Sequence, residues 1–105
     1  MIKQGVDFNG VQPETIMGML IVDRIMEQEG HIRCVTAILD GKHKVGSFHY
    51  AGLAFDQRTW ADAQGTQLPH HEKERLAALF RKLLGPSWDV VVEATHIHCE
   101  LDAKV

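Results

Sequence analysis

Cysteine is scarce in this chain. Cys34 and Cys99 are its two cysteines in 105 residues, and neither lies in a Cys-x-x-Cys pair. That excludes a disulfide framework, and both thiols read as buried in strands. Long apolar runs are absent as well: no window approaches the roughly twenty residues of a membrane-spanning helix, so no membrane insertion is expected. The opening residues Met1-Ile2-Lys3-Gln4-Gly5 lack the charged-then-apolar layout of a secretory signal, so synthesis and folding in the cytoplasm are expected. Basic charge is thin. Eleven Lys and Arg face fourteen Asp and Glu, for a net charge of −3. The densest basic spot, Lys42-His43-Lys44, is too small to track a phosphate backbone, so no nucleic acid partner is expected. Repeats, low-complexity runs and linkers are missing too. Residues 1–105 therefore read as a single domain, expected to be a monomer, with one modest core.

What is present has clear periodicity. From Pro13 to Glu29, Ile16, Met17, Leu20, Ile21 and Ile25 recur at helical spacing and predict a core-facing helix. Pro13 suits its first turn, Glu14 its positive end, and Gly30 its stop. Residues 32–39 alternate as a strand, and Asp40-Gly41 turns the chain into a polar loop ending at Gly46. Leu53 to Arg58 reads as a short strand and Trp60 to Gln67 as irregular. Pro69 to Leu84 predicts a second helix with Leu76, Leu79, Phe80 and Leu83 as its apolar stripe, closed by Gly85-Pro86. Trp88–Glu93 and His96–Leu101 read as two further strands. This order predicts an α+β fold with two main helices and a small, mostly antiparallel sheet.

Two segments carry the chemistry. The first is Ser47-Phe48-His49-Tyr50-Ala51-Gly52-Leu53-Ala54-Phe55-Asp56, and the second is Glu93-Ala94-Thr95-His96-Ile97-His98-Cys99. Three imidazoles with a carboxylate form a donor set that suits Zn2+, and three protein ligands with an open fourth position is the catalytic form of such a site. In a strand His96 and His98 share one face and Glu100 extends the row, while Ile97, Cys99 and Leu101 face the other way. Glu93 is out of step with that row unless the chain turns or bulges at Ala94-Thr95, and such a kink is expected. A buried aspartate is costly unless paired or metal-bound, which singles out Asp56 among its apolar neighbours. The run His70-His71-x-x-Glu74 reads instead as a solvated first helical turn, because adjacent helical residues do not share a face.

The pattern Ser47-x-His49-x-x-Gly52-x-Ala54-x-Asp56, followed by His96-x-His98, resembles the zinc D-Ala-D-Ala metallopeptidase family. That family includes bacteriophage endolysin peptidases and the hedgehog signalling domain. The likeness spans Thr36 to Leu101 and implies a hedgehog/DD-peptidase-like fold. It implies that His49, Asp56 and His98 bind zinc, that Glu93 is the general base, and that His96 sits beside the metal to bind the transition state or shuttle a proton. An alternative assignment takes Glu93-x-x-His96 as base and ligand, with His98 next to the metal. The implied activity is zinc-dependent hydrolysis of peptidoglycan stem peptides, of the D-Ala-D-Ala carboxypeptidase or L-Ala-D-Glu endopeptidase type. Such a protein would act at the cell wall once a permeabilising partner released it. The rival expectation is a catalytically inactive, zinc-stabilised binding or phage structural module of the same fold. Many relatives carry an arginine upstream of the first motif; here residues 36–44 hold none.

Overall fold

Pro13 opens the first helix and Gly30, at φ 75°, turns the chain out of it. The second helix starts after Pro69, whose carbonyl accepts the N–H groups of Glu72 and Lys73 at 3.0 and 3.1 Å. Glu72 in its first turn and Arg81 and Lys82 in its last suit the helix dipole. Gly85 ends it at φ 97°, a left-handed value that a side chain would resist. The computed structural model describes residues 13–38 and 54–101. Within them lie α1 (Pro13–Gln28), β1 (Val35–Ile38), β2 (Ala54–Arg58), α2 (His70–Leu84), β3 (Trp88–Val92) and β4 (His96–Leu101). The strands form one sheet in the order β1-β2-β4-β3, and every neighbouring pair is antiparallel. The fold is α+β. No helix among the described residues is long and apolar enough to cross a membrane.

Strand parity separates core from site. Phe55 lies opposite Cys99, and Cys99 opposite Val90; all three are buried, and the helices cover this side. Met19, Val22 and Met26 from α1 meet Leu76, Ala77 and Phe80 from α2 over Phe55 and Ile97. Fully burying each large apolar side chain contributes roughly 1.5–3 kcal/mol. Cys99 is fully enclosed as expected, and burial pushes its thiol well above its ordinary pKa, which removes it as a nucleophile. Cys34, by contrast, is half-buried and precedes β1 rather than lying in it. The strand there starts at Val35, later than the alternation from residue 32 suggests.

Two expectations about the helix faces are corrected. The structure turns α1 so that Thr15, Gly18, Met19, Val22, Ile25 and Met26 are buried, while Met17 is 59% and Leu20 48% exposed. This helix carries two overlapping apolar stripes, so periodicity alone does not choose between them. Close packing at Gly18 fits the observed one. A Cβ there would lie 2.7 Å from Trp88 Cη2 and 3.2 Å from Phe55 Cε1. Phe55 and Trp88 already meet edge to face with centroids 5.5 Å apart, so the ring has a packed neighbour on that side. Leu83 is likewise exposed, at 54%, although α2's stripe predicts it in the core.

Gly18→Ala tests this packing. In an exposed helix interior the change adds up to ~1 kcal/mol of stability. At this site overpacking of ~1–3 kcal/mol opposes it, and the expected result is a net loss, read as a lower urea midpoint at unchanged slope. A raised midpoint would show that Trp88 yields without cost.

Candidate metal centre

The opposite face of the sheet is polar because its positions alternate with the core positions. On β2, Asp56 and Arg58 point away from the core that Phe55 and Gln57 enter. The register sets Asp56 opposite His98 and Arg58 opposite His96. Asp56 is also paired with Thr36 on β1, and His98 with Val91 on β3. Directly opposed residues share a face, so one aspartate and two imidazoles from β2 and β4 converge on one side.

Their donor atoms all lie within 4.8 Å of one another. His98 donates from Nδ1 to Asp56 Oδ1 at 2.8 Å, and His96 Nε2 lies 3.6 Å from Asp56 Oδ2. A tetrahedral ion with ligand bonds of 2.0–2.1 Å needs donors roughly 3.3 Å apart, and these two separations bracket that value. The distal ring nitrogens are held as well. His98 Nε2 is 3.1 Å from Glu100 Oε1, and His96 Nδ1 hydrogen-bonds Thr95 Oγ1 at 3.1 Å. Metal-binding imidazoles commonly have such a partner on the nitrogen that faces away from the ion, which fixes ring orientation. The donor chemistry and the outer partners therefore fit a divalent cation. Asp56, His96 and His98 could hold a metal ion.

The hairpin between β3 and β4 sets where His96 sits. Ala94 and Thr95 form its tip, and Glu93 donates its backbone N–H to His96 O at 2.8 Å. The kink expected at Ala94-Thr95 is thus a turn, and it places Glu93 across from His96 at the sheet end. The Glu93 side chain is exposed. The tip is tied down by the buried Lys73 of α2, which donates from Nζ to Ala94 O at 2.7 Å, and by Thr59 N–H donating to Thr95 O at 3.3 Å.

The expected site residues thus separate into three groups. Asp56, His96 and His98 are brought together. Glu93 stands at the adjoining strand end. His49, with Ser47 and Gly52 of the same motif, lies outside the described residues. His70 and Glu74 are exposed on the first turn of α2, 3.4 Å apart, as the solvated reading expects. Arg33, a cation that precedes β1, pairs with Asp23 at 2.6 Å and Glu27 at 2.9 Å. Arg58 was missed by the sequence reading. It follows Asp56 by two residues in a strand, so the same-face rule that groups His96 with His98 would have found it. Compared with known proteins, the chain matches no family model, no curated protein and no solved structure.

Asp56 also raises His98's pKa. Its hydrogen bond dominates and Glu100 adds to it, while burial pulls the other way; the pKa rises from an ordinary 6.5 to about 9. In the metal-free protein His98 is therefore charged at neutral pH. Its raised value stabilises the metal-free fold below pH 6.5, and that contribution is lost as pH rises through about 9. A metal ion must displace this proton. Uptake of a divalent cation through His98 near pH ~7.5 is expected to release about one proton per ion, read by calorimetry in buffers of different ionisation heat. Proton-silent binding would mean His98 is not a ligand.

Proposed function

We propose that this chain is a zinc-dependent peptidase of the D-Ala-D-Ala metallopeptidase type, acting on the stem peptides of peptidoglycan. The observation that carries the reading is the meeting of Asp56 with His98 and His96 on one sheet face, donor atoms within 4.8 Å, in a chain whose two motifs carry the same residues in the family's order. Asp56 and His98 belong both to the ligand set implied by that resemblance and to the group the strands bring together. His49 is the third ligand of the resemblance and lies outside the described residues; His96 is 3.6 Å from Asp56.

A zinc ion held by these residues would supply a Lewis acid for a peptide carbonyl and would lower the pKa of water toward ~7. The chain's own groups do the rest. Glu93, across the hairpin from His96, takes the proton of the attacking water and hands it to the leaving amine. His96 hydrogen-bonds the oxygen on which negative charge develops. Thr95 holds His96's other nitrogen and so fixes which one faces the substrate.

A second reading draws on one observation. The Glu93 side chain is exposed and is not among the groups whose donor atoms converge, as would hold in a zinc-stabilised binding module without catalysis. Glu93→Gln separates the two. The peptidase reading expects stoichiometric zinc with cleavage of purified peptidoglycan reduced ~10²–10⁴-fold, scored by mass spectrometry of released fragments. Zinc without any cleavage by the unsubstituted chain supports the binding module.

The ligand set has its own test. His98→Ala and Asp56→Ala are expected to lose stoichiometric zinc. His49→Ala is expected to behave likewise, whereas His96→Ala keeps the ion and loses turnover. Loss of zinc in His96→Ala, with retention in His49→Ala, would move His96 into the ligand set.

A further inference from the structure

Beside the metal group the same sheet face forms a cleft of about 210 Å³, lined by Thr36, Asp56, Arg58, Thr95 and His96. Whole drug-sized ligands need roughly 300 Å³ or more, so this cleft takes the end of a ligand rather than all of it. We propose that Arg58 is the anion-binding residue of this face and that its guanidinium receives the terminal carboxylate of a peptide laid across Asp56 and His96. The inference rests on the peptidase reading only for the ligand's being a peptide; the carboxylate site itself does not require the metal.

Three observations carry it. Arg58 sits opposite His96 in the β2–β4 register and two residues from Asp56 on one strand face. Its guanidinium carbon lies 5.0 Å from the centre of the Trp60 ring. Stacking on an aromatic face orients the planar fork and leaves its N–H edges for a ligand. Trp60 is fixed in turn, by its bridge to Gln67 and by Gly65, whose position would bring a Cβ within 3.6 Å of the indole nitrogen.

Partnering is the second observation. Arg24, Arg33 and Arg75 each face a carboxylate, and Arg81 donates to Val90 O. Among the described residues, no carboxylate lies within ion-pair distance of Arg58. Third, Thr36 lines the same cleft with an enclosed hydroxyl oxygen that has no hydrogen-bond partner among the described residues. A planar fork binding a carboxylate through two parallel N–H donors is the geometry guanidinium favours.

The test uses the full chain and two probes, N-acetyl-D-alanyl-D-alanine and its C-terminal amide. Binding is followed by NMR at the Arg58 side-chain N–H and the Trp60 indole N–H, with zinc bound and after zinc removal. The carboxylate probe is expected to bind roughly 10–100-fold more tightly than the amide and to shift both signals in either metal state. Arg58→Gln should erase the difference between the probes, and Arg58→Lys should restore part of it. A preference that survives zinc removal and vanishes in Arg58→Gln upholds the site even if no cleavage is ever seen. Equal binding of the two probes, no binding of either, or an unchanged preference in Arg58→Gln overturns it.

Discussion

The pairing of β2 with β4, Asp56 against His98, is the constraint on which the rest depends. Because side chains alternate along a strand, a slip of one residue would send Asp56 into the helix-covered core and bring Phe55 out to water. The register is held by the core itself. Phe55 opposite Cys99 and Gln57 opposite Ile97 are enclosed on the far side of the same strands. Hydrophobic burial thus fixes the geometry of the polar face. The donors stand on strands rather than loops, which suits a site that must hold atoms to a fraction of an ångström.

Electrostatics then bind the face together. In the metal-free protein Asp56 is satisfied by a charged His98, which Glu100 holds from its other nitrogen. A divalent ion held there would displace that proton, and the 2.8 Å contact between His98 and Asp56 would open to admit it. The charged pairing explains how a partly exposed aspartate and two histidines can sit a few ångströms apart in a stable apo fold.

Much of this was legible in the sequence, for identifiable reasons. The run His96-Ile97-His98-Cys99-Glu100-Leu101 alternates strictly, so its two faces could be assigned from parity alone. The helix ends were legible because Gly30 and Gly85 mark them with backbone conformations that other residues resist. The buried face of α1 was not legible. Eight of its sixteen residues are Ile, Leu, Val or Met, and the face is chosen by a tertiary contact, Gly18 against Trp88, that has no local signature. The position of Glu93 needed the hairpin. Counted along the chain it is out of step with His96 and His98, whereas folded back across Ala94-Thr95 it comes opposite His96.

Arg58 shows how the same rules reach further once a register is known. Counting in twos from Asp56 places it on the site face. Only the pairing with β4 puts it beside His96, and only the turn after β2 brings Trp60 under its guanidinium. Charges of both signs follow one another along the face: Arg58 at one end, the Asp56–His98 pair in the middle, and Glu100 and Asp89 beside Arg81 at the other. Their order is set by the register of β2 and β4, which the hydrophobic core already fixes.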